Sequence, residues 1–429
     1  MEETTGSRSW LQRLKEESWE AELLVSAIAT FAAFQLFQLT DWTIYRAVDI
    51  LHPDQYFYAY TIVFMGMIAV SVLVTMFVIH FMLRSYWIGL VGLNSVFPDY
   101  GLEDSAYSKL YTNKFRDLLP KLTHTIDQVD ELCSVIFSAA FVSVVVYAYF
   151  SVLSALYLML FNILNELIPT WILLLPIFTL VVLAGLQGLL TFLSNIQKIK
   201  DNDTIQLFLF RIVKLTNMIM LGPIYKSALQ ISMTFGSNFK RKKHIAYMVI
   251  GFVFFGCIVA GIKFAKSDLT LLIDSETYLS QHVHRPDVYR SDNSHFEFLI
   301  GPEISSDVIT DTVLRVFIPR MRHEKAILKE QCEEFEAPED KSDREVSILR
   351  DAHETSCYQR FYSILVNDQE VQNELRYAYH PTTGQLGFVT YIDLSNTERG
   401  NHSLIVIKTL GEELEYHWSV PFYYSPDQD

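Results

Sequence analysis

Four consecutive basic residues, Lys240, Arg241, Lys242 and Lys243, stand directly before an almost wholly apolar stretch at residues 244–264. A run of that length and composition is suited to crossing a bilayer as a helix. The basic cluster sets its direction, because Lys- and Arg-rich connections are retained on the cytoplasmic side. Four earlier blocks have the same character, at residues 21–39, 57–83, 132–161 and 171–193. Each exceeds the roughly 18 residues that separate a spanning helix from a buried core helix. The third has 30 residues, about 45 Å as a helix, so it must tilt or project beyond the hydrocarbon. The expected membrane part is therefore an all-α bundle of five transmembrane helices within residues 21–265.

The connections alternate as five spans demand. Residues 41–56 hold one basic residue, Arg46, and residues 162–170 hold none. Residues 84–131 hold five (Arg84, Lys109, Lys114, Arg116, Lys121) and residues 195–243 hold nine. This bias predicts a multi-pass protein of the plasma or inner membrane, with residues 1–20 cytoplasmic and residues 266–429 outside. The first 22 residues are mostly polar and mixed in charge, so no cleaved leader is expected. Residues 205–235 are fairly apolar but carry Arg211, Lys214, Gly222, Pro223 and Lys226. A crossing there would put Lys240–Lys243 outside, so the segment reads as a cytoplasmic amphipathic helix broken at Gly222–Pro223.

Beyond Lys266 the pattern changes. Residues 266–429 carry 15 Lys+Arg against 30 Asp+Glu, so the net charge of −15 belongs wholly to them. An acidic domain lacks the basic face that phosphate contacts need, which excludes nucleic acid as its partner. Short strands are expected at residues 295–300, 314–318, 361–366, 375–379, 386–394, 402–409 and 414–424, with a turn at Asn367–Asp368. Helices are expected at residues 324–336 and 343–360. The run Arg399-Gly400-Asn401-His402-Ser403-Leu404 resembles the turn and start of a late strand in immunoglobulin-like modules. Strands at this near-regular spacing with turn residues between them suggest a C-terminal antiparallel β-sandwich with a helical insertion, and the resemblance implies that it is immunoglobulin-like. The Cys…Trp…Cys framework of antibody domains is absent from the sequence.

Candidate sites follow from residue type and spacing. Cys332 and Cys357 fall in the segment read as exterior, where an oxidising compartment permits a bridge; the alternative is two unrelated thiols. Ser143, Tyr147, Ser151 and Ser154 form one polar stripe of the third span, suited either to lining a pore in an oligomer or to packing helix on helix. Gly256 and Ala260 make a small-xxx-small step in the fifth span. His124, Asp127 and Glu131 share a helix face near Asp130. A metal or proton site is the sharper reading there, and carboxylates favoured by a helix N-terminus the plainer one. Glu20 and Glu22 read as interfacial; His80 and Arg84, four residues apart, suit either a charged relay or, for Arg84, snorkelling to the headgroups. A contact between Glu166 and Lys263 is the other ion pair considered. His282, His284 and His295 form no convincing ligand set, and the acidic run at residues 330–340 lacks the spacing of a calcium loop. No phosphate-binding Gly-rich loop, nucleophile elbow or zinc-protease motif occurs.

No catalytic, cofactor-binding or metal-binding residue emerges from this inventory. The expectation is a non-enzymatic membrane protein that presents its exterior β domain to a protein or envelope partner, alone or as a homo-oligomer. A channel subunit lined by the third span, and a membrane enzyme acting on lipid through His124, Asp127 and Glu131, are the rival readings.

Overall fold

The structure, a computed structural model, describes residues 19–98, 107–164, 167–194, 202–227, 229, 230, 233, 242–273, 288–291, 298–325, 331–333, 335–338, 341–371, 374–410 and 414–426. The chain forms two compact units. One comprises Met1–Thr40 with Ile62–Ser267, the other Asp41–Thr61 with Asp268–Asp429.

The first unit is helical. Its elements are α1 (Trp19–Ile50), α2 (Tyr56–Val96), the short α3 (Lys109–Leu118), α4 (Leu122–Leu164), α5 (Thr170–Ser194), α6 (Asp203–Leu221) and α7 (Lys242–Phe264). Four stretches, Glu20–Ile50, Pro53–Val96, Lys109–Phe161 and Trp171–Leu189, are long and apolar enough to cross a membrane. Within α7 the corresponding apolar part is the shorter Ile250–Phe264. The α6 helix is capped by Asn202, whose side chain accepts from the backbone of Thr204 and Ile205. It ends at Gly222, where φ of +49° suits a residue without Cβ, and Pro223 follows.

Spans associate in lipid through close packing rather than through a hydrophobic effect between them. Here Ala33, Phe37, Val70, Leu73, Phe77, Ile136, Ala140 and Phe252 form one core drawn from α1, α2, α4 and α7. The tightest approach is at Gly256: a Cβ there would lie 2.9 Å from the Val72 Cα. Eight residues further along both helices, the Phe64 and Phe264 rings meet at 6.0 Å, so α7 runs antiparallel to α2. The small-xxx-small step of the sequence thus marks a real contact surface, and Ala260 is buried on it.

The second unit holds two sheets, a helix and, within Asp41–Thr61, the end of α1 and the start of α2. The four-stranded sheet has the order β1 (Glu303–Ile304), β3 (Val313–Pro319), β7 (Leu386–Asp393), β6 (Arg376–Tyr379). The five-stranded sheet has the order β2 (Val308–Ile309), β9 (Leu414–Tyr424), β8 (Gly400–Leu410), β4 (Tyr362–Val366), β5 (Gln369–Glu370). The β2–β9 pair is parallel, so the region is mixed rather than wholly antiparallel as the strand pattern suggested. Asn367 and Asp368 both have positive φ and join β4 to β5, as a tight hairpin turn needs. Residues 298–300 form no strand; the rest of that expected strand lies outside the described residues. Of the helix expected at 324–336, residues 324, 325 and 331 are helical, 332, 333, 335 and 336 are not, and 326–330 and 334 lie outside the described residues. The helix α8 (Asp343–Gln359) opens with a Ser342–Glu345 capping box. The two sheets share a core in which Tyr362 of β4 meets Phe388 of β7 at 5.6 Å, with Tyr358 of α8 against the same ring.

Gly256→Leu should lower the stability of the helical unit by about 1–3 kcal/mol, the usual cost of overpacking. Gly251→Leu, where an added Cβ meets nothing within 4 Å, should leave it unchanged. Thermal unfolding of the two variants in the same detergent measures the difference.

Candidate functional site

Two buried charged centres stand out, one in each unit. In the helical unit, His80 and Arg84 are four residues apart on α2 and so point the same way. Arg84 is only 2% exposed. Its Nη1 donates to Asp130 Oδ1 of α4 at 2.7 Å, and its Nη2 lies 3.1 Å from Glu22 Oε2 of α1. The other Glu22 oxygen accepts from Nε2 of the fully buried His80 at 3.2 Å. Trp87 covers the guanidinium, its ring centroid 4.4 Å from Cζ, and Phe137 packs on the imidazole. One guanidinium therefore ties three apolar helices together. The snorkelling reading of Arg84 is corrected: the side chain turns inward because two carboxylates from other helices meet it there.

The residues marked on α4 divide differently. His124, Asp127 and Glu131 are exposed, while Asp130 takes the inward position. His124 lies 3.1 Å from Gln128 on its own helix. Among the described residues no group of three His, Cys, Asp or Glu side chains is placed to hold a metal. Ser143, Tyr147, Ser151 and Ser154 are all half-buried, whereas Val145, Val152, Leu153 and Leu156 are exposed. Ser143 Oγ donates to the Ala139 carbonyl of its own helix, and Tyr147 packs on the core shared with α1 and α2. Lys263 lies over the Phe37 ring at 4.6 Å; Glu166, His282, His284, His295, Lys240 and Arg241 lie outside the described residues.

The second centre is built where the α1–α2 connection joins the β strands. Asp49 is buried and accepts at Oδ1 from the Arg322 backbone N–H at 3.0 Å, while its carbonyl accepts from the His323 N–H at 3.0 Å. Its Oδ2 lies 3.2 Å from Arg322 Nε. Tyr45 stacks on Phe298 at 5.5 Å and donates its hydroxyl to Asp268. Next to this contact, Glu324 and Lys408 form a buried ion pair. Lys408 occupies the inward phase of β8, in line with the buried Leu404, Val406 and Leu410. Its burial pushes the ammonium pKa down, and Glu324 partly restores it. Burial likewise raises the Tyr362 and Tyr416 hydroxyls, with the Glu324 charge adding to it. Burial lowers His323 below its usual value of 6.5. A second polar bracket closes the four-stranded sheet. Thr383 N–H donates to His380 Nδ1, which leaves Nε2 as the donor to buried Glu303. Cys332 and Cys357 are joined by a disulfide with Cα atoms 6.0 Å apart, which links α8 to the segment before it.

These arrangements hold elements together, and none aligns a nucleophile with a base and an acceptor for developing charge. Arg84→Met should destabilise the helical unit by about 3–5 kcal/mol, because two carboxylates lose their counter-ion. Adding Glu22→Leu and Asp130→Leu should recover most of the loss; detergent thermal unfolding of the single and triple variants checks this. In the β unit, a His323 pKa held below 6.5 means the unfolded chain binds the proton first as pH falls. Stability then drops as pH decreases through and below 6.5, by up to about 1.4 kcal/mol per pH unit. His323→Gln should remove that part of the slope in denaturation measured at pH 5 to 7. No protein-family model, no curated protein and no solved structure matches this chain.

Proposed function

We propose that this protein crosses the membrane five times and presents its acidic β unit on the outside, where it binds a protein or envelope partner without catalysing a reaction. The observation that carries the reading is the inclusion of Asp41–Thr61 in the β unit. The last residues of α1 lend Tyr45 and Asp49 to that unit's own packing, which ties the module to the connection between the first two spans.

The same inclusion bears on topology. Two segments packed together on one side of a bilayer are separated by an even number of crossings. Between Thr61 and Asp268, α2, α4 and α5 supply three. A fourth from α7 restores the parity, with α6 remaining on the cytoplasmic surface. The α7 helix packs antiparallel along α2, and its residues 244–262 carry no formal charge, whereas α6 carries Asp203, Arg211 and Lys214. The Cys332–Cys357 bridge agrees with an oxidising exterior. The half-buried stripe on α4 favours helix packing over a pore.

A surface for recognition is at hand on the outer face of the four-stranded sheet. Val313 and Tyr391 are exposed there, with Arg315 and Asp393 paired across from them. Tyrosine and arginine are both enriched at interfaces.

Two measurements test the proposal. In intact cells, an impermeant maleimide added after mild reduction should label Cys332; labelling only after lysis would place the β unit inside. Affinity capture in mild detergent should retain a protein partner with the native chain, and lose it with Val313→Ser/Tyr391→Ser at unchanged thermal stability. Capture of nothing by the native chain, after crosslinking in cells, would count against a presenting role.

A further inference from the structure

The helix α3 contributes no residue to either buried charged centre. It is ten residues long, about 15 Å, and so reaches halfway across a bilayer core at most. Its apolar side chains are nevertheless ordered. At 100° per residue, Leu110, Tyr111, Phe115 and Leu118 fall within an arc of about 140°, and Tyr107, just before the helix, lies against Tyr111. Lys109, Asn113 and Arg116 occupy the opposite side, and Asp117 borders the arc beside Leu110. The protein covers almost none of this helix: Thr112 is its one buried residue, while Leu110 is 74% and Leu118 75% exposed. The aromatic members touch one another, Tyr107 to Tyr111 at 5.6 Å and Tyr111 to Phe115 at 4.8 Å. They form a continuous apolar ridge.

Such a short helix is marginal in water by itself, so a ridge of this kind implies something that covers it. Charge and chain continuity identify the cover. Residues 107–121 contain Lys109, Lys114, Arg116 and Lys121 against a single acid, Asp117. Lys114 lies inside the apolar arc, where a long stem beside apolar side chains carries its ammonium to a headgroup. The connection from α3 to α4 is only Leu119 to Lys121, and Leu122 stands eight residues before Asp130. The start of α4 is thus about 12 Å, along its own axis, from the level at which Arg84, Glu22 and Asp130 meet, and α3 ends four residues before it. Glu22 lies near the start of the apolar stretch Glu20–Ile50, so this level is the border of the hydrocarbon.

We propose that α3 lies in the plane of the membrane, its Tyr107–Leu118 ridge sunk into the acyl boundary and its basic residues bound to anionic phospholipid headgroups. The inference needs α2 and α4 to cross the bilayer, and is independent of which side the β unit occupies.

Depth-resolved spin labelling of the full chain in nanodiscs tests it. The background is Cys133→Ser with Cys257→Ala, and nitroxide is placed at Leu118→Cys or at Asn113→Cys, in discs of phosphatidylcholine with phosphatidylglycerol. The Leu118 label should collide with oxygen in preference to a water-soluble nickel complex, at a depth of about 5–10 Å. The Asn113 label should show the reverse preference. Replacing phosphatidylglycerol by phosphatidylcholine, or Lys109, Lys114 and Arg116 by Gln, should move the Leu118 label several-fold toward nickel accessibility. A Leu118 label that is open to nickel in both discs overturns the proposal. So does one shielded from both colliders, which signals a second copy or another protein on the ridge, and so does one indifferent to lipid charge. Unchanged thermal unfolding of each labelled chain verifies that the fold is intact.

Discussion

The helical unit depends on a guanidinium that apolar surroundings cannot leave unpaired. Arg84 sits within a helix whose apolar character continues on both sides of it, from Val63 to Ile79 and again from Trp87 to Leu93. Burying such a charge alone costs several kcal/mol. Glu22 and Asp130 offset that cost only if α1 and α4 stand beside α2 at one rotation and one height. Apolar packing among spans is tolerant of sliding and turning. A charged contact shared by three helices is not, and here it supplies the register that Ala33, Val70 and Ala140 then fill in.

The β unit relies on a comparable device. Asp49 ends a long apolar helix, yet its carboxylate and carbonyl satisfy backbone donors of Arg322 and His323. The buried Glu324–Lys408 pair lies immediately beyond, and tyrosines with elevated pKa values surround it. Removing either partner would strand the other charge, so the loop carrying Glu324 is held to β8 as firmly as to Asp49. The position of that loop is set by polar satisfaction, and the aromatic core around Phe388 and Tyr362 sets the separation of the sheets.

Much of this was legible in the residues. Apolar blocks announced long helices, and period-two alternation with turn residues placed β4, β6, β7, β8 and β9 within a residue or two. Local signals of this kind survive because they report the chain's own periodicity. The charged centres were less accessible. Arg84 looked like a helix-end cation, although the apolar run resuming at Trp87 was a sign that the helix does not end there. Lys408 stood on the inward phase of β8 between Val406 and Leu410, which is a readable anomaly. Glu324 and Asp49 carried no such mark, since their partners are 84 and 273 residues away.

By itself, then, the sequence determined the helices, the strands, the acidity of the C-terminal part and the small-residue step at Gly256, all of which follow from side-chain chemistry at short range. Tertiary structure alone decided that Asp130 rather than Asp127 or Glu131 turns inward, that the turn after α1 belongs to the β unit, and that one parallel pair enters its five-stranded sheet. The reason is common to all three: a buried polar group must be satisfied, and which distant partner satisfies it depends on how whole elements assemble.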